Sequence, residues 1–134
     1  MKKTLLLLTT IIILCSCLST DDLPNYKYEF VAIDEATTPA NFRFGKRDTI
    51  TLKYTLPNTC YNFDNIYYDN QDTARVVAIR TYIDLDKNCA EVITQKEYKL
   101  IINVGQQEDY LFKFFKGKDS NGENIFEEVV IPVN

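Results

Sequence analysis

From Thr49 to Leu56 the chain alternates without a break, with Ile50, Leu52, Tyr54 and Leu56 on one side and Thr49, Thr51, Lys53 and Thr55 on the other. A strict period of two puts these sets on opposite faces of a β-strand. Pro57-Asn58 then ends it with turn chemistry. Six further runs read as strands, at 26–33, 63–69, 74–84, 97–104, 109–116 and 125–133, each bounded by Asp, Asn, Gly or Pro clusters. Asp119-Ser120-Asn121-Gly122 makes the last pair a hairpin. No window sustains apolar residues at three-four spacing over three turns, so helices are at most short. Nine Tyr and eight Phe, with abundant Val, Ile and Thr, suit the pleated, half-buried surface of a sheet.

Seven short strands at this spacing give the expected fold class: an all-β, antiparallel, Greek-key immunoglobulin-like β-sandwich. The segment Val104-Gly105-Gln106-Gln107-Glu108-Asp109-Tyr110-Leu111-Phe112 resembles the tyrosine corner that leads into the sixth strand of such domains. The resemblance implies that Tyr110 turns its hydroxyl back onto the preceding loop. It also puts Phe112 at the core position where antibody domains carry a cysteine. The chain departs from antibody domains in having no Trp and no cysteine in its second and sixth strands.

The N-terminus speaks to the compartment. Met1-Lys2-Lys3 is a short positive region, and Leu5 to Leu14 is an apolar run broken only by Thr9 and Thr10, the pattern of a secretory signal. Roughly ten apolar residues cannot cross a bilayer core that needs about 20, and polar Ser19-Thr20-Asp21-Asp22 follows. Leu14-Cys15-Ser16-Cys17 resembles the lipobox of bacterial lipoproteins. That resemblance implies that Cys17 is lipidated and that Cys15 leaves with the signal peptide. The organisation is then a signal peptide at 1–16, a lipidated Cys17 with a short acidic tether at 17–25, and one β-sandwich domain at 26–134. Three acyl chains on one residue would anchor it permanently, since about two suffice. Leu18-Ser19-Thr20-Asp21-Asp22 resembles the acidic export tether of Bacteroidota surface lipoproteins, a solvated linker being the other reading. An outer-membrane lipoprotein is expected, either surface-exposed or facing the periplasm.

Nineteen acidic side chains outnumber 15 basic ones, and loss of Lys2 and Lys3 with the signal peptide widens the net charge to −6. Such a surface repels phosphate backbones, so nucleic acid is excluded as a partner. The cysteines left in the domain are Cys60 and Cys89, an even pair that outside the cytoplasm reads as a disulfide, with two free thiols as the alternative. Closing a loop of about 30 residues would stabilise the domain by roughly 3 kcal/mol. In the immunoglobulin-like order both cysteines lie in loops at one end, with the start of the first strand and the last hairpin turn. The membrane anchor would then sit at that end, leaving the far end and the sheet faces for partners.

There is no His, which removes the commonest general base and metal ligand. Paired carboxylates could in principle serve glycoside hydrolysis. However, Glu127 and Glu128 are adjacent in a strand and point to opposite faces, and Asp84 with Asp86 sits in a loop. The chain is expected to be no enzyme and to carry no cofactor. The one metal candidate is structural calcium at Asp84, Asp86 and Asn88, with a second cluster at Asp119-Ser120-Asn121-Gly122-Glu123. Cys89 and Gln95 occupy positions where an EF-hand needs Gly and Glu, and Asp and Asn are also good turn formers. Asp72-Thr73-Ala74 and Asp48-Thr49-Ile50 resemble the acceptor motif of Bacteroidota O-glycosylation, which implies Thr73 as the accessible site. Tyr61, Tyr67, Tyr68 and Tyr82 could form a sugar- or protein-binding patch or could be core and cross-strand pairs.

The segment Asn58-Thr59-Cys60-Tyr61-Asn62-Phe63, the later Cys89 and the stretch from Phe114 to Glu123 resemble uncharacterised small lipoproteins of Bacteroidota. The resemblance covers most of the chain after Cys17 and implies no known activity. The function expected is a membrane-anchored, non-catalytic interaction module for a protein or glycan. A structural envelope protein without a discrete ligand is the alternative, with a carbohydrate-handling enzyme behind both.

Overall fold

The computed structural model describes residues 24–134, so the signal peptide, Cys15, Cys17 and most of the tether lie outside the described residues. Eight strands follow in order: β1 (Tyr26–Val31), β2 (Ile33–Thr37), β3 (Arg47–Leu56), β4 (Tyr61–Gln71), β5 (Ala74–Asp84), β6 (Thr94–Asn103), β7 (Tyr110–Lys118) and β8 (Asn124–Ile131). They form two packed sheets, β2-β3-β6 and a five-stranded sheet centred on β5. The chain is an all-β sandwich.

Two details differ from the sequence reading. There are eight strands rather than seven, because the run 26–33 divides between the sheets: β1 pairs with β5, and β2 pairs with β3. Competition for one edge of β5 explains the division. β4 takes one side of β5 along its length, while on the other side β7 pairs at Ala74 to Val77 and β1 at Ile79 to Asp84. β1 therefore runs out of partner where β7 begins, and the chain crosses to the other sheet. The second difference is orientation. The β5–β7 pair is parallel, so the sandwich is not antiparallel throughout; β4 and β5 form a hairpin whose second strand, not the first, reaches β7.

The alternation of β3 sets the core. Ile50, Leu52, Tyr54 and Leu56 are buried against Val77, Ile79, Phe112, Phe114 and Ile131 of the five-stranded sheet, with Leu100 and Ile102 of β6 beside them. Phe42, outside any strand, plugs this core, its backbone bonding Pro132 and Asn134.

The loops gather at two ends. At one, Cys60 and Cys89 are joined, with Cα atoms 5.3 Å apart, within the span a disulfide needs. β1 starts here too: Leu85 N–H donates to the Asn25 carbonyl (3.0 Å), and Asp84 N–H donates to the Cys60 carbonyl (3.3 Å). The opposite end carries the β4–β5 turn, where Asp72 takes a left-handed φ of 52° beside exposed Thr73, and the loop from β6 to β7.

Candidate functional site

The outer faces of the two sheets differ in kind. On β3 the outward set is Thr49, Thr51, Lys53 and Thr55, with Lys53 Nζ on Glu35 Oε2 at 2.9 Å and Thr55 donating to Asp34 at 2.7 Å. That face is mostly polar and pairs its own charges, with Ile101 of β6, the partner of Thr49, as its exposed apolar side chain.

The five-stranded sheet instead turns aromatic rings outward. Val77, Ile79 and Thr81 of β5 point into the core, so Ala78, Arg80 and Tyr82 point out. Their cross-strand partners Tyr28, Phe30 and Tyr67 share that side. Tyr26 meets Tyr82 at 5.0 Å between ring centroids, the Arg80 guanidinium lies 5.2 Å over Tyr28, and Phe30 meets Tyr67 at 5.6 Å. Phe115 continues the band from Phe30 to Phe126, at 6.1 Å from each. Phe115 is almost covered, whereas Tyr28 is 56% and Phe30 46% exposed. The result is one aromatic band across β1, β5, β7 and β8, joined from β4 by Tyr67. A depression of about 560 Å³ lies beside Phe30, lined by Tyr28, Phe115, Gly117 and Asn124.

β1 explains why the band is exposed. Its odd-numbered partners Lys27 and Glu29 face the inner side, where Glu29 accepts from Tyr61 Oη at 2.8 Å and contacts Lys27. The strand is thus mounted with its apolar side to solvent. The Lys27 and Tyr61 hydrogen bonds hold the Glu29 carboxyl below its ordinary value of 4.5. A lowered carboxylate contributes stability that is complete above that value and is lost as pH falls below it. Glu29→Gln is therefore expected to lower stability at pH 7 by up to about 1 kcal/mol after solvent screening, with the gap from wild type closing in acid. Urea unfolding of both proteins at pH 7, 4 and 3 checks this; a gap that widens in acid contradicts it.

Of the tyrosines considered from sequence, Tyr67 and Tyr82 belong to the band, while Tyr61 packs against the core and Tyr68 lines a cleft at the far end. Tyr26, Tyr28, Phe30, Phe115 and Phe126 are the members that sequence reasoning missed. For Tyr26, Tyr28 and Phe30 the signal is the alternation Tyr26-Lys27-Tyr28-Glu29-Phe30, legible as a strand though not as to which face is exposed; Phe115 and Phe126, in β7 and β8, carry no such signal.

The other candidates are placed as follows. Tyr110 accepts a hydrogen bond on its hydroxyl from Gly105 N–H, at 3.2 Å, across the loop that precedes it. Asp84 takes Lys87 Nζ at 3.0 Å and Asp86 N–H at 3.2 Å, Asp86 takes Asn25 N–H at 3.4 Å, and Asn88 is exposed. Asp119 accepts the Asn121 and Glu123 amides and closes the β7–β8 turn. Both sets act as turn formers, and no group of three or more His, Cys, Asp or Glu side chains converges among the described residues. Glu127 and Glu128 each hold a lysine, Lys116 and Lys113. Compared with known proteins, the chain matches no family model, no curated protein and no solved structure.

Proposed function

We propose that this chain is a lipoprotein held to the outer membrane through Cys17, whose domain is a non-catalytic recognition module binding a protein or glycan on the aromatic face of its five-stranded sheet. The observation that carries the reading is the contrast between the two outer faces. Contiguous exposed apolar surface is uncommon on a soluble domain and marks a binding site, and Tyr and Phe rings offer rigid contact area to sugar rings or side chains. A structural protein without a discrete ligand would have no use for such a band on one face alone. The charge of −6 directs the choice toward uncharged or cationic partners.

The start of β1 beside the disulfide supports placing the membrane at that end, because eight tether residues reach at most about 27 Å. Thr73, the proposed O-glycosylation site, then points away from it. Kinship with the small Bacteroidota lipoproteins belongs to the same reading. So does an immunoglobulin-like descent, with β2-β3-β6 standing for strands A′, B and E, β7-β8 for F and G, and the tyrosine corner between.

A photo-cross-linking side chain at Tyr28 in intact cells, with a control at Thr51 on the polar face, tests the function. A discrete adduct with a protein or glycan at Tyr28 and none at Thr51 is expected. Equal labelling at both positions, or adducts to lipid alone, overturns the reading.

A further inference from the structure

A cleft lies at the opposite end from the disulfide, lined by none of the residues of the aromatic face. The four arginines divide into two kinds. Arg43 and Arg80 hold carboxylates, those of Asp48 and Asp64. Arg47 and Arg75 hold only uncharged oxygens, with Arg47 Nε on Asn103 Oδ1 at 3.1 Å and Arg75 on Gln106 Oε1 at 2.7 Å and on the Thr73 carbonyl at 3.4 Å. Neither has a carboxylate within ion-pairing distance among the described residues.

Arg75 is the unusual one. It shares the inward side of β5 with Val77 and Ile79, so its half-buried guanidinium sits between the two sheets, where charges are normally paired. It is also held in place. The group lies 5.4 Å over the Tyr110 ring, and Gln106 is fixed by donating to the Glu108 and Asp109 carbonyls. Beyond the contacts to Gln106 and the Thr73 carbonyl, and with the Tyr68 hydroxyl beside it, the five-donor guanidinium borders a cleft of about 490 Å³ between the open edges of β4 and β6. Asn70, Asn103 and Tyr68 supply polar groups, Leu100 and Ile102 an apolar floor, and no acidic side chain lines it. That volume is in the range of small-molecule sites, and its only charge is a cation in an acidic protein.

We propose that this cleft binds a small ligand through one carboxylate, received by the Arg75 fork. A planar guanidinium matches the two oxygens of a carboxylate, and a fork already fixed by Gln106 and Tyr110 loses little freedom on binding. One cation among neutral amides suits a monoanion better than a phosphate dianion. The carboxylate could belong to an acidic sugar or to an amino acid or peptide terminus, and the apolar floor admits either.

The test is titration of the isotope-labelled domain, with its disulfide intact, against glucuronate, an N-acetylated amino acid, glucose and inorganic phosphate, followed at the Arg75 side chain and the Gly105 and Gln106 amides. Saturable shifts with one or both carboxylates are expected, and the pair identifies the source. Arg75→Lys, which keeps the charge but loses the fork, is expected to weaken binding at least tenfold. Arg43→Gln, outside the cleft, is expected to leave it unchanged. Absence of saturation below about 10 mM with either carboxylate, an equal response to glucose or phosphate, or full binding by Arg75→Lys overturns the proposal.

Discussion

Phe112→Ala is expected to destabilise the domain by about 3–5 kcal/mol, whereas Phe30→Ala, also an aromatic-to-alanine change on the five-stranded sheet, is expected to cost less than about 1.5 kcal/mol. Phe112 has no exposed surface and is packed by Phe42, Tyr110 and Phe114 at ring separations of 6.0, 6.0 and 5.6 Å. Those neighbours are fixed by strand pairing and by the Phe42 plug, so the void left by a phenyl ring cannot close. Phe30 loses only edge contacts with Tyr67 and Phe115 on a surface already open to water. For a domain of this size the difference amounts to roughly 10 °C or more in Tm. Urea unfolding followed by circular dichroism measures both. If Phe30→Ala costs as much as Phe112→Ala, the aromatic band is part of what holds the fold together, and its reading as a recognition surface fails.

That comparison touches the limit of what the sequence makes legible. The strand β3 was plain because its alternation has only one good solution, an apolar side in a core and a Thr/Lys side in water. The disulfide was legible from an even cysteine pair, and it is present. β1 carries an equally clean alternation, Tyr26, Tyr28 and Phe30 against Lys27 and Glu29, yet its orientation is the reverse of what burial would favour. Period two states which residues share a face; it does not state which face meets the core. Here the decision was made by Val31 and Ile33, which turn toward the core with β1's polar side, and by Tyr61, whose hydroxyl donates to Glu29 there. The division of run 26–33 was equally out of reach, because it depends on β7 occupying part of the β5 edge. A parallel pair between strands far apart in the chain leaves no local mark. The Arg75 cleft was invisible for a similar reason, since β4 and β6 meet across it only in three dimensions.

Cys89→Ser is the other substitution expected to have a large effect, about 3 kcal/mol lost for a bridge whose cysteines are 29 residues apart. The choice of cysteine matters. Cys60 is fully buried and Cys89 exposed, so a serine at 89 adds little of its own, while a serine at 60 would also bury a hydroxyl beside β4. Cys60→Ser should therefore cost more than Cys89→Ser. The double variant should cost about as much as Cys60→Ser alone, because the bridge can be lost only once. The loss has a local side as well. Thr59 N–H donates to the Ala90 carbonyl and Ala90 N–H to Thr59 Oγ1, a reciprocal pair that holds the β5–β6 loop next to the bridge. Those amides should lose hydrogen-exchange protection on reduction, while the amides of Leu52 and Phe112 in the core stay protected in the molecules that remain folded. The disulfide and the start of β1 share one end of the sandwich, so a bridge that holds this loop also steadies the end at which the proposed membrane tether would enter β1. Urea midpoints for the three variants and exchange on the reduced protein decide the matter. A Cys89→Ser midpoint within about 0.5 kcal/mol of wild type would mean that packing around Cys60 alone holds this end, and that the bridge adds no constraint the folded strands lack.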